Sequence, residues 1–204
     1  ATLNDDKYAN QTVYTTYWVS KVEPSMVIDV VTNDIKVGDT VEVTVTLPSD
    51  IDGEVVSLEI NGEVISNTTA DGIAKFYISS VTYGNKTVVA SYVGNDKYLF
   101  NSTTANFTVN KRSSQVNVTA TGDNVGGNAT ITVQVQTNAT GYVTVNVNGT
   151  NYTIVLNSTG AGSINITGLG NGTYYVHATY LGDDQYLSSE NNTKTFEMIK
   201  TATT

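Results

Sequence analysis

The chain returns on itself after 88 positions. Val37 to Val45 reads Val-Gly-Asp-Thr-Val-Glu-Val-Thr-Val and recurs from Val125 to Val133 as Val-Gly-Gly-Asn-Ala-Thr-Ile-Thr-Val. Ser91-Tyr92-Val93-Gly94-Asn95-Asp96-Lys97-Tyr98 recurs at the same displacement as Thr179-Tyr180-Leu181-Gly182-Asp183-Asp184-Gln185-Tyr186. A unit of about 90 residues is too long for a solenoid repeat and has the size of an independently folding domain. A third copy of the ending opens the chain. Leu3-Asn4-Asp5-Asp6-Lys7-Tyr8 matches the segment around Tyr98, and Val13 to Val19 reads as one further strand. Each ending runs to a lysine: Lys21, Lys111 and Lys200. The chain therefore parses into residues 1–21, the closing strand of a preceding repeat or a donor strand; 22–111 and 112–200, two complete repeats; and 201–204, a junction to a next repeat.

Within each repeat apolar residues alternate with polar ones, the period of a half-buried strand. Strands are expected near 25–32, 40–47, 54–60, 63–66, 73–79, 86–93 and 103–109, and near 115–121, 128–135, 142–148, 151–156, 161–166, 173–180 and 193–198. Val41, Val43, Val45 and Leu47 should point inward, as should Ala129, Ile131, Val133 and Val135, with Ala74, Phe76 and Ile78 matching Gly162, Ile164 and Ile166. The 33 threonines and 22 asparagines supply β-branched strand residues and turn formers, and strong helix formers are scarce. Seven alternating strands with glycine-rich turns predict an all-β chain. We expect two tandem Ig-like β-sandwiches with an additional N-terminal strand.

Charge narrows the function. At −9, with ten Lys plus Arg, the chain has no basic face to neutralise a phosphate backbone, so nucleic acid is excluded as a partner. No apolar run approaches the roughly 18 residues of a helical membrane span. Without cysteine there is no disulfide framework or thiolate metal site. Asn-x-Ser/Thr occurs fourteen times, which suggests a glycosylated exterior. Asn106, Asn117 and Asn165 fall between or beside inward residues and should face solvent; with Asn171 they are the candidate glycosylation sites.

Little else promises chemistry. His177 is the sole histidine and lies outward between Val176 and Ala178, where a solvated strand residue is the expected role. The turn acids Asn95-Asp96, Asp183-Asp184 and Asp5-Asp6 could contribute to a calcium site, but capping of turn N–H groups accounts for them more simply. Tyr92 and Tyr180 should bury their rings and find hydroxyl partners. Lysines including Lys36, Lys75, Lys86, Lys97 and Lys194 raise the question of an internal Lys–Asn or Lys–Asp isopeptide bond; linker or surface solvation is the simpler role. No catalytic, cofactor-binding or metal-binding residue is assigned, no cofactor is expected, and the chain is not expected to be an enzyme. Val13, Tyr17, Trp18 and Val19 are candidates for strand exchange, through β-augmentation within or between chains.

The run Tyr92 to Tyr98, its partner Tyr180 to Tyr186, and the Val-Gly-Asp opening at Val37 resemble the Ig-like repeats of prokaryotic surface proteins. They are most similar to repeats in adhesin-like proteins of methanogenic archaea. Asn95 and Asn4 depart from the Tyr-x-Gly-Asp-x-x-Tyr pattern. The resemblance implies sandwiches strung between a cell-wall or membrane anchor and an outer domain, without catalysis. The expected function is a stalk segment at the cell surface or cell wall that spaces and presents an outer binding region. Two alternatives are a filament subunit assembled through an N-terminal donor strand and a glycan-binding Ig-like module. Expected partners are neighbouring Ig-like repeats, host or microbial surface glycans or proteins, and a second copy engaged through residues 1–21.

Overall fold

The computed structural model describes residues 2–5 and 7–201, with side chains for residue 7 and residues 12–201, and among these it contains no helix. An N-terminal hairpin pairs β1 (Thr2–Asp5) with β2 (Tyr8–Thr12). The first repeat supplies β3 (Val27–Val30), β4 (Val41–Thr46), β5 (Val55–Ile60), β6 (Glu63–Thr68), β7 (Ile73–Ile78), β8 (Gly84–Tyr92) and β9 (Asn101–Val109). The second supplies β10 (Asn117–Thr121), β11 (Ala129–Gln134), β12 (Tyr142–Val147), β13 (Thr150–Val155), β14 (Ala161–Ile166), β15 (Gly172–Tyr180) and β16 (Ser189–Met198). Each repeat forms a three-stranded and a four-stranded sheet in the same order: β3-β4-β7 with β6-β5-β8-β9, and β10-β11-β14 with β13-β12-β15-β16. This is the all-β, Ig-like sandwich arrangement anticipated from the alternation.

By packing, the chain divides into two compact units, Ala1–Asp29 with Val43–Phe76 and Thr87–Ala105, and Val30–Glu42 with Tyr77–Lys86 and Asn106–Thr204. The dividing line crosses strands of the first repeat, so these units do not coincide with the sequence repeats. In the first unit, the register Val56↔Tyr92, Leu58↔Ala90 and Ile60↔Val88 aligns six buried residues on one face of the sheet. In the second unit, Val118, Ile131 and Val133 from one sheet meet Val143, Val145, Ile154, Val176, Ala178 and Tyr180 from the other in one core. Ile164 is half-buried against that core, and Tyr174 stacks on Phe196 at 5.2 Å between ring centres. Short β-branched side chains dominate because each must fill the narrow layer between two pleated surfaces.

Turns fix the registers. Asn61-Gly62 and Asn148-Gly149 join β5 to β6 and β12 to β13, each with both residues at positive φ (51° and 83°; 46° and 95°). That conformation matches the right-handed strand twist and favours Asn-Gly. A tighter constraint sits where β4 and β11 end. Gly72 and Gly160 lie at φ of 78° and 74°, and each accepts a hydrogen bond at its carbonyl, from the N–H of Leu47 and Val135 respectively, at 2.8 Å. A Cβ on Gly160 would stand 2.0 Å from the Gln136 carbonyl oxygen, and one on Gly72 2.5 Å from that of Leu47. Both are closer than any non-bonded approach allows.

The positive-φ strain alone costs about 1–3 kcal/mol. Gly160→Ala adds a backbone clash that Gly149→Ala does not, because no atom lies within 4 Å of a Cβ at Gly149. Thermal melting should therefore place Gly160→Ala well below Gly149→Ala. Equal melting temperatures would contradict the role of this close approach.

Candidate functional site at the recurrent glycine–acid turn

The most repeated element joins the last two strands of each repeat. Gly94 and Gly182 sit at φ of 87° and 86°, and a Cβ on either would approach the carbonyl of Tyr98 or Tyr186 to 2.6 Å. The chain can fold back this closely only through glycine. The next side chain then caps the turn. Asn95 Oδ1 accepts the N–H groups of Lys97 and Tyr98, both at 2.9 Å, and Asp183 Oδ1 accepts those of Gln185 and Tyr186, both at 2.8 Å. The second atom of each side chain reaches a neighbouring loop. Asp183 Oδ2 accepts from the Thr140 N–H at 2.8 Å and its hydroxyl at 3.0 Å, while Asn95 Nδ2 donates to Glu54 Oε1 at 3.2 Å.

Four donors thus occupy the roughly four lone-pair directions of the Asp183 carboxylate. Burial raises its proton affinity, but the N–H groups of Thr140, Gln185 and Tyr186 outweigh that, and the carboxyl titrates below its ordinary value. Among the described residues no group of three or more histidine, aspartate or glutamate side chains is placed to hold a metal ion. Capping, the simpler of the two expected roles, is what the side chains at positions 95 and 183 perform. Asp96 and Asp184 are exposed beside them.

The tyrosines of the motif divide by position. Tyr98 donates its hydroxyl to Asp50 Oδ1 at 2.9 Å, and Tyr186 to the Thr137 carbonyl at 3.1 Å. Lys97 also pairs with Asp50, and the hydrogen bonds from Lys97 and Tyr98 hold that carboxyl below its ordinary range. Tyr92 and Tyr180 correct the expectation of hydroxyl partners. Their rings are buried, and neither hydroxyl meets a partner in hydrogen-bonding geometry. The nearby Asn95 and Asp183 are already committed to the turn. Burial pushes both phenols above their ordinary range, reinforced by the Glu54 charge at Tyr92 and by Asp183 at Tyr180.

The remaining candidates are dispersed. His177 is exposed and lies 2.7 Å from Glu190 Oε2. Asn106, Asn117, Asn165 and Asn171 all face solvent. Asn165 accepts the Thr130 hydroxyl at Oδ1, at 2.9 Å, whereas Asn67, Asn101, Asn148 and Asn191 commit the amide nitrogen itself: their Nδ2 donates to the carbonyls of Lys75, Pro24, Thr173 and Val116. Sequence alternation does not distinguish these from the others. Lys97 and Asp50 are both at least half exposed, so theirs is a solvated ion pair and not the dehydrated pair that amide formation needs. Arg112, in the second unit, donates its main-chain N–H to Gln185 and its Nε to the Val37 carbonyl, both at 2.8 Å, and pairs with Asp39. In the same unit Tyr83 lines an open cleft of about 510 Å³ with Val37, Val81 and Gln185; Lys111 Nζ covers its ring at 4.9 Å. Val13, Tyr17, Trp18 and Val19 are exposed and belong to no strand, which corrects the expected strand at 13–19: the paired strand is β2, and it ends at Thr12. The junction expected at 201–204 lies, beyond Thr201, outside the described residues.

No family model matches the chain, and no curated protein matches it. Among solved structures it is similar to a bacterial ice-binding adhesin, with 16% identity over 90% of this chain and 67% of that one, at a TM-score of 0.37. It is similar to latent PorU from Porphyromonas gingivalis, with 13% identity over 88% of this chain and 20% of that one, at a TM-score of 0.35. Dscam shares 14% identity over 88% of this chain and 47% of its own length, at a TM-score of 0.34.

Because the folded Asp183 carboxyl titrates below its ordinary value, its stabilising contribution is complete above about pH 4 and is lost as the pH falls through the folded value. Denaturant unfolding stepped from pH 6 to pH 3 should show a fall in wild-type stability that is shallower in Asp183→Asn. At pH 6 that variant should be less stable by about 1–3 kcal/mol, since an amide cannot accept from Thr140 and from the turn together. Millimolar calcium should leave the melting temperature unchanged; a rise of several degrees would restore the cation reading.

Proposed function

We propose that the chain is a non-catalytic segment of an adhesin-like protein at the cell surface or cell wall, where tandem Ig-like sandwiches space and present an outer binding region. The observation that carries this reading is the self-sufficiency of the repeated turn. Each repeat builds it from its own glycine, Asx cap, tyrosine and neighbouring loop, and the cap and tyrosine hydroxyl bond within that repeat, to backbone N–H groups, a carbonyl or a loop side chain. A unit closed in this way can be multiplied without a new site having to be made. The resemblance of these motifs to archaeal and other prokaryotic surface repeats supports the same reading, as does an acidic exterior with little basic charge. Asn106, Asn117, Asn165 and Asn171 are proposed glycan carriers, and neighbouring Ig-like repeats the proposed partners.

The spacer reading expects this chain, screened across host and microbial glycans, to show no saturable binding, and excision of residues 22–200 from its parent protein to leave the outer region exposed but nearer the cell. Saturable binding competed by free sugar would make it a binding module instead. In material from the native source, mass spectrometry should find glycans at Asn117 and Asn165 more often than at Asn67 or Asn191, whose amide nitrogens, the atoms a glycan joins, already donate in the fold.

A further inference from the structure

Residues 13–22 align without a gap on the segment 103–112, with identity at Val19/Val109 and Lys21/Lys111 and an aromatic ring at Tyr17/Phe107. Tyr17 stands where Phe107 does, Val19 for Val109, Lys21 for Lys111, and Val22 for Arg112. In the second repeat the equivalents are Phe196, Met198 and Lys200, with one additional β16 residue taken up by the register shift between Val176 and Ala178. Phe107, Val109, Phe196 and Met198 are buried, while the intervening Thr108 and Glu197 are exposed. These are the inward and outward positions of a last strand.

The bonding just beyond the strand also repeats. Asn110 donates its N–H to the Ile35 carbonyl at 2.8 Å and accepts from Val37 at 3.0 Å; Ile199 makes the same pair of bonds with Asp123 and Val125, at 3.2 and 2.8 Å. Two residues after Asn110, Arg112 bonds through N–H and C=O to Gln185 and Leu187, and Val22 bonds in the same way to Lys97 and Leu99. Val22 is therefore the first anchored residue of the first repeat, and Ser20 occupies the position at which a last strand is tied off.

Residues 13–19 have the sequence of a last strand without its surroundings. Val13, Tyr17, Trp18 and Val19 are 67%, 83%, 96% and 84% exposed. Both repeats already hold their own last strand, β9 beside β8 and β16 beside β15, so a second copy of this chain offers no vacant place of this kind. We infer that residues 13–20 are the closing strand of another sandwich of this repeat type, preceding the first repeat in the same polypeptide. Tyr17 and Val19 enter its core, Trp18 faces outward, and the main chain pairs with its penultimate strand. This assignment rests on register and exposure and does not depend on the surface-spacer reading.

The test uses the whole chain. Thr103–Lys111 is replaced by the sequence of Val13–Lys21, which has the same length, so that the segment must close the first sandwich. The graft should keep a cooperative unfolding transition and a protease resistance within about threefold of the parent. Tyr17→Asp within the graft should abolish that resistance, whereas Trp18→Asp should not. An unfolded first repeat in the graft, or equal tolerance of aspartate at both positions, overturns the assignment. Light scattering of the unaltered chain over a wide concentration range should show a monomer. A concentration-dependent dimer abolished by Val19→Asp would give the strand to a second copy and overturn the placement within one polypeptide.

Discussion

The last two strands of each repeat have to pair over their full length, and the rest of the sandwich depends on that pairing. In the second repeat the ladder runs from Gly172↔Met198 to Tyr180↔Ser189. A slip of one residue would carry Phe196 and Met198 out of the core and Glu197 into it. The turn that holds this register has little latitude. Gly182 must occupy a left-handed conformation against the Tyr186 carbonyl, and Asp183 must then take up the N–H groups left free by the bend. The buried Tyr180 ring lies just before this turn, so an error there would propagate directly into the packing between the sheets.

The two complete repeats meet that constraint with different chemistry. An asparagine and an aspartate present the same Oδ1 to the same two turn N–H groups. Their second atoms differ in sign: the Asn95 amide donates, and its neighbouring loop offers the Glu54 carboxylate; the Asp183 oxygen accepts, and its loop offers the Thr140 N–H and hydroxyl. The turn is therefore one geometry with two self-consistent sets of partners. Its acidity in the second repeat is a consequence of which donors surround it, and a bound cation is not needed to explain why acids recur there.

The strands and their faces were legible because period-two alternation is strong over Val41 to Leu47 and Ala129 to Val135; Asn-Gly closes two hairpins, but a third Asn-Gly, at Asn171-Gly172, leads into β15 without one. Fourteen strands fall where alternation put them, with ends displaced by a few residues. Local pattern is silent about what lies across space. It could not show that the Tyr92 and Tyr180 hydroxyls would find their nearest polar neighbours already engaged. Nor could it show that Asn101 and Asn191, outwardly ordinary sequons, hold the start of their own repeat through carbonyls 77 and 75 positions away. Residues 13–19 mark the clearest limit. Their composition is that of a strand, but a strand is defined by its partner, and β2 ends at Thr12 where pairing with β1 ends.

The placement of the asparagines reflects the same requirement that edges be managed. Of the sequon asparagines within strands of the two repeats, Asn67, Asn101, Asn106, Asn117, Asn151, Asn165 and Asn191 lie on β6, β9, β10, β13, β14 and β16, all outer strands of their sheets; Asn85 on β8 is the exception. Edge strands present unpaired N–H and C=O groups, and β6 also exposes Val64 and Ile65. A run of lysines would be the common protection, but this chain has few. Asparagine fits poorly inside a sheet and is tolerated at its margin, and a glycan at Asn106, Asn117 or Asn165 would stand beside the open edge and obstruct a second strand from docking. Together with a net charge of −9, a glycan-bearing edge would oppose unplanned pairing. Residues 13–19 lack it: the segment contains no charged side chain and no sequon, as expected of a strand made to be covered.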